Sequence, residues 1–180
     1  TLDDKGQVAD RQLSDKLFDA DGDAWFHTAE HVGDRYFFLS FKGQLTELDL
    51  AGPVARQTAT RALVGAADRK LNWRPGGYQP LSLQLASGRL YVAMHPKGKE
   101  GSHTEPAKEI WVFDLASKKR VAKLPGERST VLTTSRGDAP KLYALATETG
   151  VITAYDAGPK PKKLRQSTPF SEFGTQMDSQ

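Results

Sequence analysis

Apolar and polar positions alternate along most of this chain in short runs separated by glycine, proline and acidic residues, the pattern of half-buried β-strands. The clearest pair is RYFFLS (Arg35 to Ser40) and QLTELD (Gln44 to Asp49), joined by FKG and so predicted to form a hairpin. A second pair, KLYALAT and VITAYD, runs from Lys141 to Asp156 across ETG. In both pairs a Tyr (Tyr36, Tyr143) precedes a Gly (Gly43, Gly150) by seven residues and an Asp (Asp49, Asp156) by thirteen. A third pair, Arg89 to His95 and Glu109 to Asp114, has the same character. There Tyr91 precedes Asp114 by twenty-three residues, so ten extra residues enter the loop between the strands.

Each Asp is followed by a turn and a more polar strand, at Val54 to Ala59, Arg120 to Leu124 and Lys162 to Gln166. Each Tyr strand is preceded by a further candidate, at Trp25 to Ala29, Leu81 to Leu85 and Thr130 to Thr134. The repeat is therefore a four-stranded antiparallel meander of about 40 to 50 residues, the signature of propeller blades. The predicted fold class is all-β, a β-propeller, with blades at about 24–60, 80–125 and 129–166, a partial blade at 1–20 and a partial closing strand at 167–180. Only Arg61 to Leu71 competes as a helix, with Leu63, Val64, Ala67 and Leu71 on one face, and it fits a short helix between blades. Three blades cannot close a ring of the usual four to eight. The chain is thus expected to be a portion of a longer protein, beginning in one blade at Thr1 and ending in another near Met177. Alone it should be poorly folded; a monomeric, cooperatively melting product would contradict this.

Composition narrows the function classes. With 180 residues, 38% hydrophobic and 26% charged, the chain can bury a core, and no apolar run reaches the roughly 20 residues that span a bilayer. A membrane is not expected as a partner. The net charge is +3, with basic runs only at Lys118 to Arg120 and Lys160 to Lys163. Both read as solvated turns, and neither has the clustered, aromatic-interleaved face of a nucleic-acid binder, so nucleic acid is not expected either. With no cysteine, thiolate chemistry and Cys-ligated zinc are excluded for this sequence. The amino end, TLDDKGQVADRQLSDKLF, is too acidic and polar for a leader peptide. Either the protein is cytosolic or a leader lies outside the sequence. Val8 to Phe18 reads as an edge strand or connector. Asp19 to Asp23, DADGD, reads as a turn lacking the later Glu of a calcium loop.

No catalytic constellation emerges: GxSxG, the GxxxxGK phosphate loop and the dinucleotide fingerprint are all missing. His95 and His103 flank the inserted loop with Lys97, Lys99, Glu100 and Glu105 nearby. Two histidines fall short of the three or four ligands of a metal site, which favours a solvent-facing or subunit-contact loop. His27 and His31 lie on strand and turn, so their spacing of four does not align them as on a helix. In NWRPGGYQP, Trp73 and Tyr78 bracket a Pro-Gly-Gly turn beside Arg74. These residue types either anchor a protein interface or pack between blades. The candidate interface set is Trp73, Arg74, Tyr78, His95, Lys97 and His103, with no catalytic, cofactor-binding or metal residue assigned.

NWRPGGYQP, the following ASGRLYVAMHPKGKEGSHTEPAKEIWVFDLASKKRVAKLPG and the blade repeat together resemble the heavy (large, alpha) subunit of tryptophan tryptophylquinone amine dehydrogenases, more closely the aromatic amine (aralkylamine) type than the methylamine type. The resemblance covers nearly all of Thr1 to Met177. It is specific from Trp73 to Gly126 and loose at both ends. It implies a seven-bladed propeller of which this chain is about three to four blades of the carboxy-terminal half. It implies a periplasmic heterotetramer of two heavy and two light subunits that deaminates primary amines to aldehyde and ammonia. Electrons then pass to a blue copper protein such as azurin or amicyanin. By the same resemblance the quinone and the catalytic base belong to the light subunit, so Trp25, Trp73 and Trp111 are expected to be ordinary tryptophans of a scaffold. The residues alone also leave open a propeller interaction module without redox role and a metal-dependent propeller hydrolase.

Overall fold

The computed structural model describes residues 4–5, 26–52, 55–77, 83–96 and 105–169. The expectations for Val8 to Phe18, the acidic turn at Asp19 to Asp23, Tyr78, Lys97, His103 and the strand beyond residue 169 fall outside the described residues.

Three antiparallel sheets follow one another along the chain. The first holds β1 (Phe26–Val32), β2 (Arg35–Ser40), β3 (Gln44–Asp49) and β4 (Arg56–Ala62), side by side in chain order. The second holds β5 (Trp73–Pro75), β6 (Leu83–Ala86), β7 (Arg89–Pro96), β8 (Glu109–Asp114) and β9 (Arg120–Pro125). The third holds β10 (Val131–Thr134), β11 (Lys141–Ala146), β12 (Val151–Asp156) and β13 (Lys162–Gln166), again in chain order. This is the all-β architecture of propeller blades. The first strands β1, β6 and β10 meet at the inner side, and β4, β9 and β13 form the outer edges.

The middle sheet is buried on both faces, which accounts for the unbroken apolar runs of β7 and β8. Leu90, Val92, Met94, Trp111 and Phe113 pack against Phe37, Leu39 and Leu45 of the first sheet. On the other face Tyr91, Ala93, Ile110 and Val112 pack against Leu132, Leu142, Ala144 and Tyr155 of the third. The outer strands have no such partner and read polar, with β13 exposed along its length.

Three local expectations change. The helix expected over Arg61 to Leu71 is only α1 (Ala66–Lys70). Strand β4 instead runs on to Ala62, because the β-branched and small residues of RQTATRA suit a strand, and Leu63 N–H then donates to Gly43 O at 2.8 Å. Leu63 and Val64 are buried in the turn after it, while Leu71 is 63% exposed, so the four residues share no face. Gly43 sits at φ +79°, where an added Cβ would meet the Val64 side chain, so that turn requires glycine.

The second change concerns NWRPGGYQP, part of which is strand. Trp73, Arg74 and Pro75 pair with Pro96, His95 and Met94, while β6 pairs with the other half of β7. Two short strands thus fill the inner position that one strand fills in the other sheets. Third, the tyrosine repeat is one residue out of register. Arg35, Arg89 and Lys141 each face the closing Asp (Asp49, Asp114, Asp156). Tyr36 is therefore equivalent to Leu90 and Leu142, and Tyr143 to Tyr91 and Phe37. The turn at residues 147–150 is one residue longer than that at 41–43, and a one-residue slip sends the two tyrosines to opposite faces.

The repeated Asp has a structural reason. Oδ1 of Asp49, Asp114 and Asp156 accepts the backbone N–H of Ala51, Ser117 and Gly158, respectively, and so shapes the turn into each outer strand. The N–H of Ser117, followed by its hydroxyl, holds the Asp114 carboxyl below its ordinary range. Two tyrosines then fasten the second sheet to the third: Tyr91 donates to Ala157 O at 2.9 Å, and Tyr155 to Pro125 O at 2.5 Å.

Candidate functional site

The inserted loop leaves the second sheet between Pro96 and Lys108, and its base is tightly built. His95, only 4% exposed, places Nε2 3.1 Å from Oε2 of Glu105. Gly77 N–H donates to Glu105 O at 2.9 Å and Gly76 N–H to Ala93 O at 2.9 Å, so the glycine turn, β7 and the loop base form one unit. A Cβ on Gly76 would lie 2.4 Å from Cδ2 of His95 and 2.8 Å from Glu105 O, which explains the glycine. On the far side Ala107 N–H donates to Ser129 O of the next connection at 2.7 Å. His95 therefore belongs to the buried base of the loop.

Trp73 faces inward. Its ring centroid lies 5.2 Å from that of Trp111 at an interplanar angle of 43°, against the core between the first two sheets. Trp111 is fully buried, and its Nε1 donates to Oε2 of Glu109 at 2.6 Å. The Arg120 guanidinium sits 4.1 Å above the Trp111 ring and reaches Oδ2 of Asp68 on α1 at 3.0 Å. Lys123 Nζ lies over both indoles and pairs with Glu109 at 2.9 Å. Of the two alternatives for Trp73, the geometry is that of packing between blades. Arg74 pairs through its backbone with His95, half-buried at the same edge.

At the opposite end of the sheets the inner strands enclose a concavity of about 710 Å³. Glu30 of β1, Gln84 of β6 and Thr134 of β10 form a relay across it. Gln84 Nε2 donates to Glu30 Oε1 at 3.2 Å, and the Thr134 hydroxyl to Gln84 Oε1 at 3.3 Å. Arg136 and Asp138 stand at its rim. Ser135 Oγ accepts the Lys141 N–H at 2.8 Å and so serves the turn. This wall suits a small polar guest or a water column and holds no nucleophile–base pair in contact. Sequence reasoning missed these residues; only Gln84, the one polar residue of LQLA, stands out within its strand. Among the described residues no group of three or more His, Asp or Glu stands ready to hold a metal ion.

Comparison with known proteins bears on which of these features matter. The family model described as methylamine dehydrogenase heavy chain (MADH) matches residues 1–171. The methylamine dehydrogenase heavy chain of Methylobacillus flagellatus is 23% identical over 158 residues, covering 86% of this chain and 39% of that relative. That of Paracoccus versutus is 27% identical over 124 residues, covering 68% of this chain and 29% of the relative. That of Methylophilus methylotrophus is 23% identical over 160 residues, covering 87% and 39%. The chain thus spans under two fifths of the length of these relatives. With its nearly all-β, blade-like sheets and a match along almost its whole length, the chain belongs to the methylamine dehydrogenase heavy chain family.

Proposed function

We propose that this chain is part of the propeller subunit of a periplasmic quinoprotein amine dehydrogenase and serves as scaffold rather than as the chemical centre. The observation that carries this is the family match over residues 1–171. In this reading the sheets are successive blades of a seven-bladed ring. The tryptophan tryptophylquinone resides on a light subunit, and a second heavy subunit completes the tetramer. A primary amine gives up two electrons and two protons to the quinone, water supplies the aldehyde oxygen, and ammonia leaves. The electrons continue to a blue copper acceptor. An aromatic amine is the finer substrate reading, supported by the resemblance through NWRPGGYQP. The chain's own contribution is rigidity: Trp73, Arg74 and His95 hold the base of the loop carrying Lys97 and His103, and Tyr78 follows the glycine turn, so this end presents a partner surface.

Mass spectrometry of the purified complex is the direct test. A second, smaller chain bearing a tryptophan-derived quinone is expected, together with dye reduction faster on an aromatic amine than on methylamine. A complex without such a chain defeats the reading, and the opposite amine preference defeats only its finer part. Shortening the loop within residues 97–104, which leaves Glu105 and Ala107 in place, is expected to weaken subunit assembly at unchanged thermal stability of the subunit. Gel filtration of the variant checks this, and full assembly would remove the loop from the interface.

A further inference from the structure

The outer strands and the turns leading into them carry charge of one sign only. Residues 56–62, 116–125 and 157–166 hold ten lysines and arginines and no Asp or Glu. Charged side chains, lysine especially, commonly guard exposed sheet edges, and that role is one outcome of the test below. Four of the ten are matched by carboxylates reaching from elsewhere: Arg61 by Glu47, Arg120 by Asp68, Lys123 by Glu109 and Lys163 by Glu127. Six are left over, Arg56, Lys118, Lys119, Lys160, Lys162 and Arg165, all exposed. Between them the strands also expose two apolar side chains, Val121 at 49% and Leu164 at 46%. The two basic runs that read as ordinary solvated turns in sequence thus occupy equivalent outer-edge positions in successive sheets.

We infer that this rim adsorbs the protein to an anionic phospholipid surface. The cations are spread along strand edges on flexible stems. Such an array offers no fixed spacing for a set of carboxylates on a folded partner. A fluid bilayer can gather anionic headgroups beneath it and admit two shallow apolar side chains. The expectation that a membrane plays no part rested on the lack of a spanning run, and surface adsorption needs none. Among the described residues no helix is long and apolar enough to cross a membrane.

The test is co-sedimentation of the full-length protein with vesicles of phosphatidylcholine alone or with about 30% phosphatidylglycerol, at low salt and at about 0.5 M salt. Sedimentation with the anionic vesicles only, released by salt, is the expected result. The variant K118E/K119E/K160E/K162E should lower partitioning by about 100-fold or more. The milder K118Q/K119Q should lower it by roughly 10-fold or more at unchanged thermal unfolding. The inference is overturned by no sedimentation at low salt, by equal sedimentation with neutral vesicles, or by variants that bind as well as the parent. Salt-sensitive retention on immobilised polyglutamate without vesicle binding would overturn it in favour of an acidic protein partner. Variants that aggregate while the parent binds no vesicle would reduce the rim to edge protection.

Discussion

Replacing Trp111 by alanine is expected to destabilise the subunit by about 3–5 kcal/mol, the range for emptying a buried aromatic site. The ring is fully buried, tilted against Trp73 at 5.2 Å and Phe113 at 6.3 Å, in the core between the first two sheets. Its removal also strips Glu109 of the indole N–H and leaves Arg120 and Lys123 without the face they cover. Because folded domains hold only about 5–15 kcal/mol in total, such a loss approaches unfolding. Trp111→Phe restores most of the volume but not the N–H, and should cost about 1–3 kcal/mol. Trp73→Ala should cost less than Trp111→Ala, since Trp73 is only half-buried. Urea unfolding of the intact subunit measures all three. A loss below about 1 kcal/mol for Trp111→Ala would mean that the blade interface collapses around the missing ring instead of depending on it.

The same contrast explains how much of the fold was legible. Strands β7 and β8 are apolar between their polar end residues because both faces are covered, so their limits could be read within a residue. The short inner strand β5 could not be read, since three residues ending in Pro carry no period and their partner lies beyond two glycines. The helix was overdrawn because Leu63 and Val64 are apolar for a reason outside any helix, the contact with Gly43. The tyrosine repeat misled by one residue because spacing was counted across turns of unequal length. Register is set by which residue faces the closing Asp, and only the pairing of Arg35, Arg89 and Lys141 reveals it.

For the candidate site, residue type was legible and orientation was not. Trp73 and His95 stood out as anchoring types, yet both point inward, and Glu105, which completes the loop base, looked like one more charge in a polar stretch. The relay of Glu30, Gln84 and Thr134 joins positions about 50 residues apart that share no residue type, so nothing local marks it. Charge at the outer rim was visible as two runs. Its single sign across three strands became apparent only once those strands were known to occupy equivalent edges.

The reciprocal tyrosines lead to the other large effect, and it depends on pH. Each hydroxyl donates to a backbone carbonyl at the boundary of the second and third sheets, Tyr91 to Ala157 and Tyr155 to Pro125. Tyr91→Phe should cost about 1–3 kcal/mol, the penalty of a buried acceptor left unsatisfied, Tyr155→Phe about 0.5–1.5 kcal/mol because its bond is only part-buried, and the double variant roughly 1.5–4.5 kcal/mol if the two add. Burial pushes the Tyr91 phenol up to about 12, with Arg89 opposing and Asp156 adding to the shift. Burial, followed by Glu127, raises Tyr155 further in the same direction. An unfolded tyrosine ionises near pH 10. Above that point the unfolded chain releases phenolic protons that the folded chain retains, so rising pH favours unfolding. The stabilisation is therefore complete below about pH 10 and is lost as pH rises through the folded values, about 12 for Tyr91. The double variant should start from a lower melting temperature at neutral pH yet lose less of it between about pH 9.5 and 11.5, because its two most strongly shifted phenols are gone. Parallel melting profiles for parent and variant over that range would show that these hydroxyls titrate alike in both states, and hence that the carbonyl contacts do not hold the blades together.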